Sequence, residues 1–247
     1  MFSIFKKKQK GTVDLSELST DMHSHLLPGI DDGSPDTSVS AILIAGLQDL
    51  GYQRFVTTPH IFWDMYKNTN ESIDAAREEL RLSFNGSFPA PFRAAAEYYL
   101  DDHIDDLLKK DVPLLTIRDN WVLVEFSFIT PPMDLKEKLF ALQIKGYQPV
   151  IAHPERYTYL LSSKKIYDEL KDAGCLFQVN LLSFSNYYGK QSHELANYLL
   201  KKNYIDLLGT DLHHDRHLQA LRSSPNLTDI TKQLLDTGKL LNPSIRF

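Results

Sequence analysis

Residues 19–25 read Ser19-Thr20-Asp21-Met22-His23-Ser24-His25, a short strand-like run that ends on two histidines at positions i and i+2. Side chains two residues apart on a strand point to the same face, so both imidazoles are expected on one side. A run of the same kind, ending on histidine or a carboxylate, recurs five more times. These ends carry His60, Glu97, Glu125, His153, and Asp211 with His213. The pattern decides the fold, because the carboxyl ends of parallel strands meet at one face of a barrel.

Strand-like and helix-like segments alternate seven times around these ends. Strands are predicted near 20–25, 54–60, 92–98, 121–127, 149–153, 175–180 and 204–211. Helices are predicted near 34–51, 69–84, 101–110, 134–145, 162–173, 191–202 and 227–235. Such alternation is typical of α/β proteins with parallel sheets. We therefore expect a distorted seven-stranded (β/α)7 barrel, similar to a TIM barrel, with an open doubly wound sheet as the alternative.

Composition limits the class of protein. The chain has 247 residues, 43% of them hydrophobic, which suits one barrel-sized domain or at most two small ones. The net charge of −5 disfavours nucleic acid as a partner. Cys175 is the only cysteine, so a reducing, cytoplasmic location is expected. Since no apolar run approaches the roughly 20 residues of a membrane span, no transmembrane segment is predicted.

The first residues differ in character from the rest. Met1-Phe2-Ser3-Ile4-Phe5 precedes Lys6-Lys7-Lys8-Gln9-Lys10, which reverses the order of charge and apolar run in a secretory signal. We predict a flexible basic extension over 1–18 and a single domain over 19–247. A solvated tail is favoured, and weak contact with a membrane surface is the alternative.

The residue types at the strand ends indicate a metal site. Imidazole and carboxylate groups are the ligands that hold zinc, manganese or iron in proteins. Asp32 follows the first strand on a loop that can fold back over the same face. Nine candidate ligands exceed the needs of one tetrahedral ion and indicate two or three cations with a shared carboxylate. The nine are His23, His25, Asp32, His60, Glu97, Glu125, His153, Asp211 and His213.

The charge of such a site favours a phosphate substrate. Four ligand carboxylates and three divalent cations leave a net charge of about +2, and clustered ions lower the pKa of bound water to about 7. A metal-activated hydroxide could then attack phosphorus. Arg156 and Arg216 are candidates to bind the phosphate, with surface salt bridges as the alternative. Cys175 begins an apolar run without a phosphate loop, which argues against a thiol nucleophile.

Longer motifs suggest a family. They are Asp21-Met22-His23-Ser24-His25, Asp31-Asp32-Gly33, Ala96-Glu97-Tyr98-Tyr99, Val124-Glu125-Phe126-Ser127, Val150-Ile151-Ala152-His153 with Glu155-Arg156-Tyr157, Gln178-Val179-Asn180 and Thr210-Asp211-Leu212-His213. From Asp21 onward the chain resembles the PHP (polymerase and histidinol phosphatase) superfamily. Within it, the chain resembles the bacterial tyrosine phosphatases of the CpsB/YwqE type.

The resemblance implies a PHP fold that binds three divalent ions. Manganese is the ion expected first, and iron, zinc and magnesium are the alternatives. The resemblance assigns His23, His25, Glu97 and Asp211 to the first ion, and bridging Glu97 with Glu125 and His153 to the second. It also assigns Asp32, His60 and His213 to the third ion, and Arg156 and Arg216 to phosphate binding. The implied substrate is a phosphotyrosine protein, typically a bacterial tyrosine kinase of capsule or exopolysaccharide export.

Alternatives of other classes remain. A small-molecule phosphatase of the histidinol-phosphate type would share the metal site. An amidohydrolase is disfavoured, because Glu125 and Asn180 stand where that class places a lysine and a histidine. His103, His193, His214 and His217 are assigned to the surface by default. Two or three of the aromatic residues that follow the strand ends are expected to contact substrate, and the candidates are Phe62, Trp63, Tyr66, Tyr98, Tyr99, Phe128, Tyr157, Tyr159, Tyr187 and Tyr188.

Overall fold

A computed structural model describes residues 13–247. Within them the chain forms nine strands: β1 Thr20–Asp21, β2 Arg54–Thr57, β3 His60–Ile61, β4 Phe92–Ala94, β5 Glu97–Tyr99, β6 Trp121–Glu125, β7 Gln148–Ala152, β8 Leu176–Asn180 and β9 Leu207–Gly209. The described helices are α1 Thr37–Asp49, α2 Asn70–Ser83, α3 Asp102–Lys109, α4 Leu135–Ile144, α5 Lys165–Asp172, α6 Lys190–Lys202, α7 Asp215–Arg222 and α8 Asn226–Leu235. All strand pairs named in the two sheets are parallel, which confirms the predicted α/β class.

The strands form two sheets, in the orders β1-β2-β4 and β3-β5-β6-β7-β8-β9. This differs from the predicted seven-stranded barrel, because two predicted strands are each broken in two. Pro59, which has no amide N–H, separates β2 from β3, and Ala95 with Ala96 separates β4 from β5. At each break the chain passes from the first sheet to the second. The described strands therefore do not form one closed, continuously paired barrel.

The two sheets are nevertheless linked beyond their named strands. Ser24, just after β1, forms a parallel bridge with Leu212, just after β9. The amide of His25 donates to the carbonyl of Leu212 at 2.9 Å. A small buried apolar cluster also draws residues from both sheets, including Met22, Val56 and Leu123. Strands of both sheets thus contribute to one small apolar cluster.

The helices follow the predicted periodicity, and their caps explain where they begin. Asp36 accepts hydrogen bonds from the amides of Ser38 and Val39 at the start of α1. Thr69 and Ser72 form a reciprocal capping box at the start of α2. Helix α7 was not predicted. It is eight residues long and buries only three residues, so its apolar stripe is too short to be recognised from the sequence.

The described part of the predicted N-terminal extension is packed. Leu15 and Leu18 are fully buried, and the amide of Leu15 donates to the carbonyl of Leu50 at 2.8 Å. Residues 13–18 of the predicted extension therefore pack against the domain. The lysine-rich stretch and its predicted membrane contact lie outside the described residues. Within residues 13–247, no helix combines the length and apolar character that crossing a bilayer requires.

Candidate metal centre

The strand ends bring all nine candidate ligands to one place. Their donor atoms fall into four overlapping groups, and within each group they lie within 4.8 Å of one another. Six of the nine are buried, namely His23, His25, Glu97, Glu125, His153 and Asp211. A cavity of about 250 Å³ opens onto the cluster. Residues up to 190 positions apart in the sequence therefore share one site.

Four inner atoms have the spacing of ligands around one ion. The Nε2 atom of His23 lies 3.2 Å from Glu97 Oε2 and 3.3 Å from Asp211 Oδ1. The Nε2 atom of His25 lies 3.4 and 3.5 Å from the same two oxygens, and 3.4 Å from Nε2 of His23. Ligands about 2.1 Å from a shared ion stand about 3.0–3.4 Å apart, along the edges of an octahedron or tetrahedron. Each of these distances therefore suits two ligands of a single cation.

Three histidines are fixed so that Nε2 faces the cluster. His23 Nδ1 lies 2.7 Å from Gln178 Oε1, and His25 Nδ1 lies 2.8 Å from Asp31 Oδ2. His213 Nδ1 lies 2.8 Å from the carbonyl oxygen of Asp211. Each partner atom is an acceptor in this arrangement, so Nδ1 carries a proton and Nε2 is the nitrogen available to a cation. This is the usual way in which outer partners orient metal-binding imidazoles.

Strand β8 carries no candidate ligand but supports the site. Gln178 donates through Nε2 to Asn180 Oδ1 at 2.9 Å, and Asn180 donates through Nδ2 to Asp211 Oδ2 at 2.7 Å. Both amides are fully buried. Gln178 and Asn180 thus link His23 to Asp211 through a chain of hydrogen bonds. Sequence reasoning matched them to a family motif without assigning this supporting position.

A second group of donor atoms lies around Glu97 and Glu125, where His60 Nδ1 is 3.3 Å from Glu97 Oε2. Glu97 Oε1 is 3.1 Å from His153 Nε2, and Glu125 Oε1 is 2.9 Å from His60 Nδ1. Within the described residues, neither Glu97 Oε1 nor His60 Nδ1 makes an aligned hydrogen bond, although both atoms are buried. Leaving such atoms unpartnered is costly, and a bound cation would satisfy them. The donor set therefore fits a second ion with Glu97 as the shared carboxylate.

The third group lies at the mouth of the cavity. Asp32 Oδ1 is 3.4 Å from His60 Nε2 and 3.5 Å from His213 Nε2. The Asp32 side chain is 52% exposed, in contrast to the buried inner ligands. His60 thus points one nitrogen at this group and the other at Glu125. The imidazole of His60 stands between the second and third groups.

The electrostatics suit cation binding. Burial disfavours the charged form of Glu97, but the His23 and His60 imidazoles outweigh burial and hold the pKa of Glu97 well below its usual value. Burial likewise opposes charge on His25, yet the Asp31 carboxylate and the neighbouring acids raise the pKa of His25 well above normal. The Glu97 carboxylate is therefore anionic, and a cation would compete with a proton for the His25 imidazole.

The backbone at two ligands is strained. His153 and Asp211 have φ values of 33° and 51°, in the left-handed region that residues with a Cβ rarely adopt. Such positions cost about 1–3 kcal/mol each and concentrate at functional sites. Gly209, two residues before Asp211, is required for a different reason. A Cβ there would lie 2.8 Å from the Cβ of His23 and 2.6 Å from Gln178 Nε2.

Arg156 lies at the cavity. Its Nη1 atom is 3.0 Å from Asp211 Oδ2, and its guanidinium lies 4.7 Å from the ring centre of Phe128 and 4.5 Å from that of Tyr188. The Arg156 side chain keeps 27% exposure and lines the cavity wall. It is thereby held in place with donors available to a ligand.

Arg216 is placed differently. It lies exposed in the first turn of α7 and does not line the cavity, whereas His214 and His217 do. His217 is 8% exposed, so its default assignment to the surface is wrong. The Nδ1 atom of His217 accepts from the amide of His213 at 3.3 Å. Burial and the neighbouring His214 lower the pKa of His217 to about 4, so this imidazole is neutral near pH 7.

The fold and the site together define a broad class of protein. Parallel α/β proteins that gather histidines and carboxylates at the carboxyl ends of their strands are typically metal-dependent enzymes. The sequence model of the CpsB/CapC family, described as capsular polysaccharide synthesis, matches residues 19–235. The chain belongs to this family, which confirms the resemblance drawn from its motifs.

Two named proteins with similar sequences are consistent with membership of this family. Tyrosine-protein phosphatase YwqE of Bacillus subtilis is 29% identical over 197 residues, covering 78% of this chain and 77% of the relative. Tyrosine-protein phosphatase CpsB of Streptococcus pneumoniae is 30% identical over 202 residues, covering 78% and 82%.

Solved structures extend the comparison. A structure from work on YwqE and CpsB, described as unique metal-dependent tyrosine phosphatases, matches with a TM-score of 0.76 at 25% identity, covering 92% of this chain and 95% of the other. Histidinol phosphate phosphatase from Lactococcus lactis shares only the fold, with a TM-score of 0.50 at 14% identity over 89% of this chain and 93% of the other.

Proposed function

We propose that this protein is a metal-dependent protein-tyrosine phosphatase with a trinuclear site, acting on a tyrosine kinase of capsule or exopolysaccharide export. The observation that carries the proposal is the convergence of nine ligands on a cavity that also contains Arg156. The family membership and the names of the relatives support the reaction. The partner kinase and a cytoplasmic location are part of the same proposal.

The proposed assignment of ligands is the one that the resemblance to the PHP superfamily implies. His23, His25, Glu97 and Asp211 would hold the first ion; Glu97, Glu125 and His153 the second; and Asp32, His60 and His213 the third. Manganese suits this mixture of imidazole and carboxylate, as do iron, zinc and magnesium. When bound, clustered divalent ions neutralise phosphoryl charge and activate water as a nucleophile.

The chain's own residues would position the substrate. The Arg156 guanidinium keeps donors free beside its contact with Asp211, and an arginine binds phosphoryl oxygens through charge-assisted hydrogen bonds. Stacking between Phe128 and Tyr188 restricts the guanidinium before substrate arrives. Less conformational freedom is then lost on binding. Arg216, although proposed from the sequence, would contribute little from its exposed place on α7.

We also propose that the two sheets represent one distorted seven-stranded barrel of the PHP type. The pairs β2/β3 and β4/β5 would count as single broken strands, and the bridge between Ser24 and Leu212 would complete the ring. The breaks fall beside His60 and Glu97, so they would serve to turn these two ligands toward the centre.

The test compares two substrates and one matched variant. Metal-stripped protein, with and without added manganese, is assayed for phosphate release from a phosphotyrosine peptide and from histidinol phosphate. We expect manganese-dependent turnover that favours the peptide, and its loss in a His23→Ala/His25→Ala variant whose circular dichroism is unchanged. Preference for histidinol phosphate would support the small-molecule alternative. No turnover of either substrate by metal-loaded protein would refute the phosphatase assignment.

A further inference from the structure

A second cavity adjoins the metal site. It measures about 280 Å³, and both cavities are lined by Asp32, His60, Glu125 and Phe128. Beyond this shared wall the second cavity is lined by Phe62, Met65, Tyr66, Tyr99, Ser127 and Ile129, and we call these six residues the aryl cleft. The cleft therefore begins where the metal cavity ends.

The walls of the aryl cleft are built on the ligand-bearing strands. Phe62 and Tyr66 form a tight turn directly after β3, with backbone hydrogen bonds of 3.1 and 2.7 Å between them. The Phe62 ring stacks on Tyr99 with centroids 3.9 Å apart, and the Tyr66 ring stacks on His60 at 5.4 Å. The opposite wall follows β6 directly. Since β3, β5 and β6 also carry candidate ligands, the cleft has a fixed position relative to the metal cluster.

The chemistry of the cleft indicates an apolar ligand. None of the six cleft residues is charged, and the acidic side chains that line the second cavity, Asp32 and Glu125, belong to the metal cluster. Met65 and Ile129 stand at the mouth with 64% and 86% of their surface exposed. Large apolar side chains exposed together beside a cavity are typical of binding sites.

We propose that the aryl cleft binds the phenyl ring of phosphotyrosine while the phosphoryl group occupies the metal cavity. This inference rests on the phosphatase function proposed above and identifies the residues that would make the enzyme specific for aryl phosphates. A phosphomonoester held at the metal cluster must direct its leaving group out of that cavity, and the cleft adjoins it there. Stacked and edge-on aromatic walls suit a phenyl ring. Met65 and Ile129 would then contact the residues that flank the phosphotyrosine, and a short alkyl phosphate would leave the cleft empty.

Reaction rates alone would not isolate the cleft, because phenolate is a better leaving group than an alkoxide. Binding of non-hydrolysable analogues avoids this difficulty. We would measure competitive inhibition by phenylphosphonate and by methylphosphonate in manganese-loaded enzyme. For the wild type we expect phenylphosphonate to bind at least about tenfold more tightly, which corresponds to about 1.4 kcal/mol.

Three variants test which residues produce this preference. Phe62→Ala removes a ring from the wall, and its ratio of the two inhibition constants should fall to within about threefold of unity. Met65→Ala/Ile129→Ala alters only exposed side chains, so it folds even if Phe62→Ala does not. It should raise KM for a phosphotyrosine peptide more than for phenyl phosphate. Phe140→Ala, which removes a 62% exposed ring on α4 away from the cleft, is the matched control and should change neither quantity.

The outcomes separate the two proposals. A ratio near one in an active wild-type enzyme would overturn the cleft assignment alone. So would an unchanged ratio in Phe62→Ala together with an unchanged peptide KM in the double variant. Absence of turnover of every phosphomonoester by metal-loaded protein would overturn the phosphatase function and, with it, the proposed substrate of the cleft.

Discussion

Replacing Gln178 with leucine tests whether the metal centre depends on its outer hydrogen bonds. Gln178 Oε1 lies 2.7 Å from His23 Nδ1 and accepts from the amide of His153 at 3.3 Å. Leucine has a similar size but no acceptor, so both donors would lose this partner. The His23 ring could then rotate or change its tautomer, and Nε2 would no longer be held toward Glu97 and Asp211.

The magnitude follows from the hydrogen bonds that this substitution removes. Removing an outer partner of a metal-binding histidine typically costs about 10–100-fold in metal affinity or activity. This range corresponds to about 1.4–2.7 kcal/mol of binding free energy. Each buried donor left unsatisfied also lowers the free energy of unfolding by about 1–3 kcal/mol. We therefore expect Gln178→Leu to fold, to bind manganese at least about tenfold more weakly, and to recover part of its activity at high manganese concentration.

The assay is competition for manganese against a chelator, combined with turnover as a function of manganese concentration. Gln178→Glu keeps an oxygen acceptor for His23 and should bind manganese more tightly than Gln178→Leu. Gln148→Leu on neighbouring β7 removes a half-buried amide that donates to the carbonyl of Gly174 at 2.8 Å, away from the cluster, and should leave manganese affinity unchanged. Wild-type manganese affinity in Gln178→Leu would refute the reasoning, as would equal weakening in Gln148→Leu.

Three further predictions concern the arginines, the outer ligand and the cysteine. Arg156→Ala should lower kcat/KM for a phosphotyrosine peptide by about 10²–10³, as loss of a charge-stabilising donor does, whereas Arg216→Ala should change it by less than about threefold. Steady-state kinetics of the two variants side by side would contradict this placement if their losses were equal. Asp32→Asn should lower the manganese content by one ion per chain, as measured by elemental analysis. It should cause little loss of thermal stability, because the Asp32 side chain is half exposed. An unchanged manganese content would argue against the third ion. Burial raises the pKa of Cys175 to about 11, so the thiol stays protonated near pH 7. Cys175→Ser should therefore keep manganese-dependent turnover, and a complete loss in folded protein would indicate a thiol mechanism.

The positions of the nine candidate ligands could be predicted because one rule relates them. In parallel α/β proteins the carboxyl ends of the strands share a face, so His23 and Asp211 can be placed together despite their separation in sequence. Local composition was sufficient to identify the strand ends. The outer support from Gln178 and Asn180 could not be predicted in the same way, since it depends on which strand lies beside β9.

The breaks in two strands were less predictable. A run such as Phe55-Val56-Thr57-Thr58-Pro59-His60 has the apolar character of one strand, and Pro59 was the only local signal of interruption. Where each fragment pairs is decided by neighbouring strands, as in the registers Phe55↔Phe92 and His60↔Glu97. Pairing of this kind is a tertiary property, so the sequence indicated the strand but not its division between two sheets.

The contrast between Arg216 and His217 shows why side-chain direction was the hardest feature to predict. Consecutive residues on an α-helix are rotated by about 100°, so a shift of one position decides which side chain faces a cavity. The direction of each side chain depends on the residue at which α7 begins. His214 fixes this start, because its Nδ1 atom accepts a hydrogen bond from the amide of His217 at 3.3 Å. The sequence alone predicts that Arg216, which comes soon after His213, binds phosphate. With the helix in place, its first turn directs His217 inward and leaves Arg216 exposed, so Arg156 is the arginine that lines the cavity.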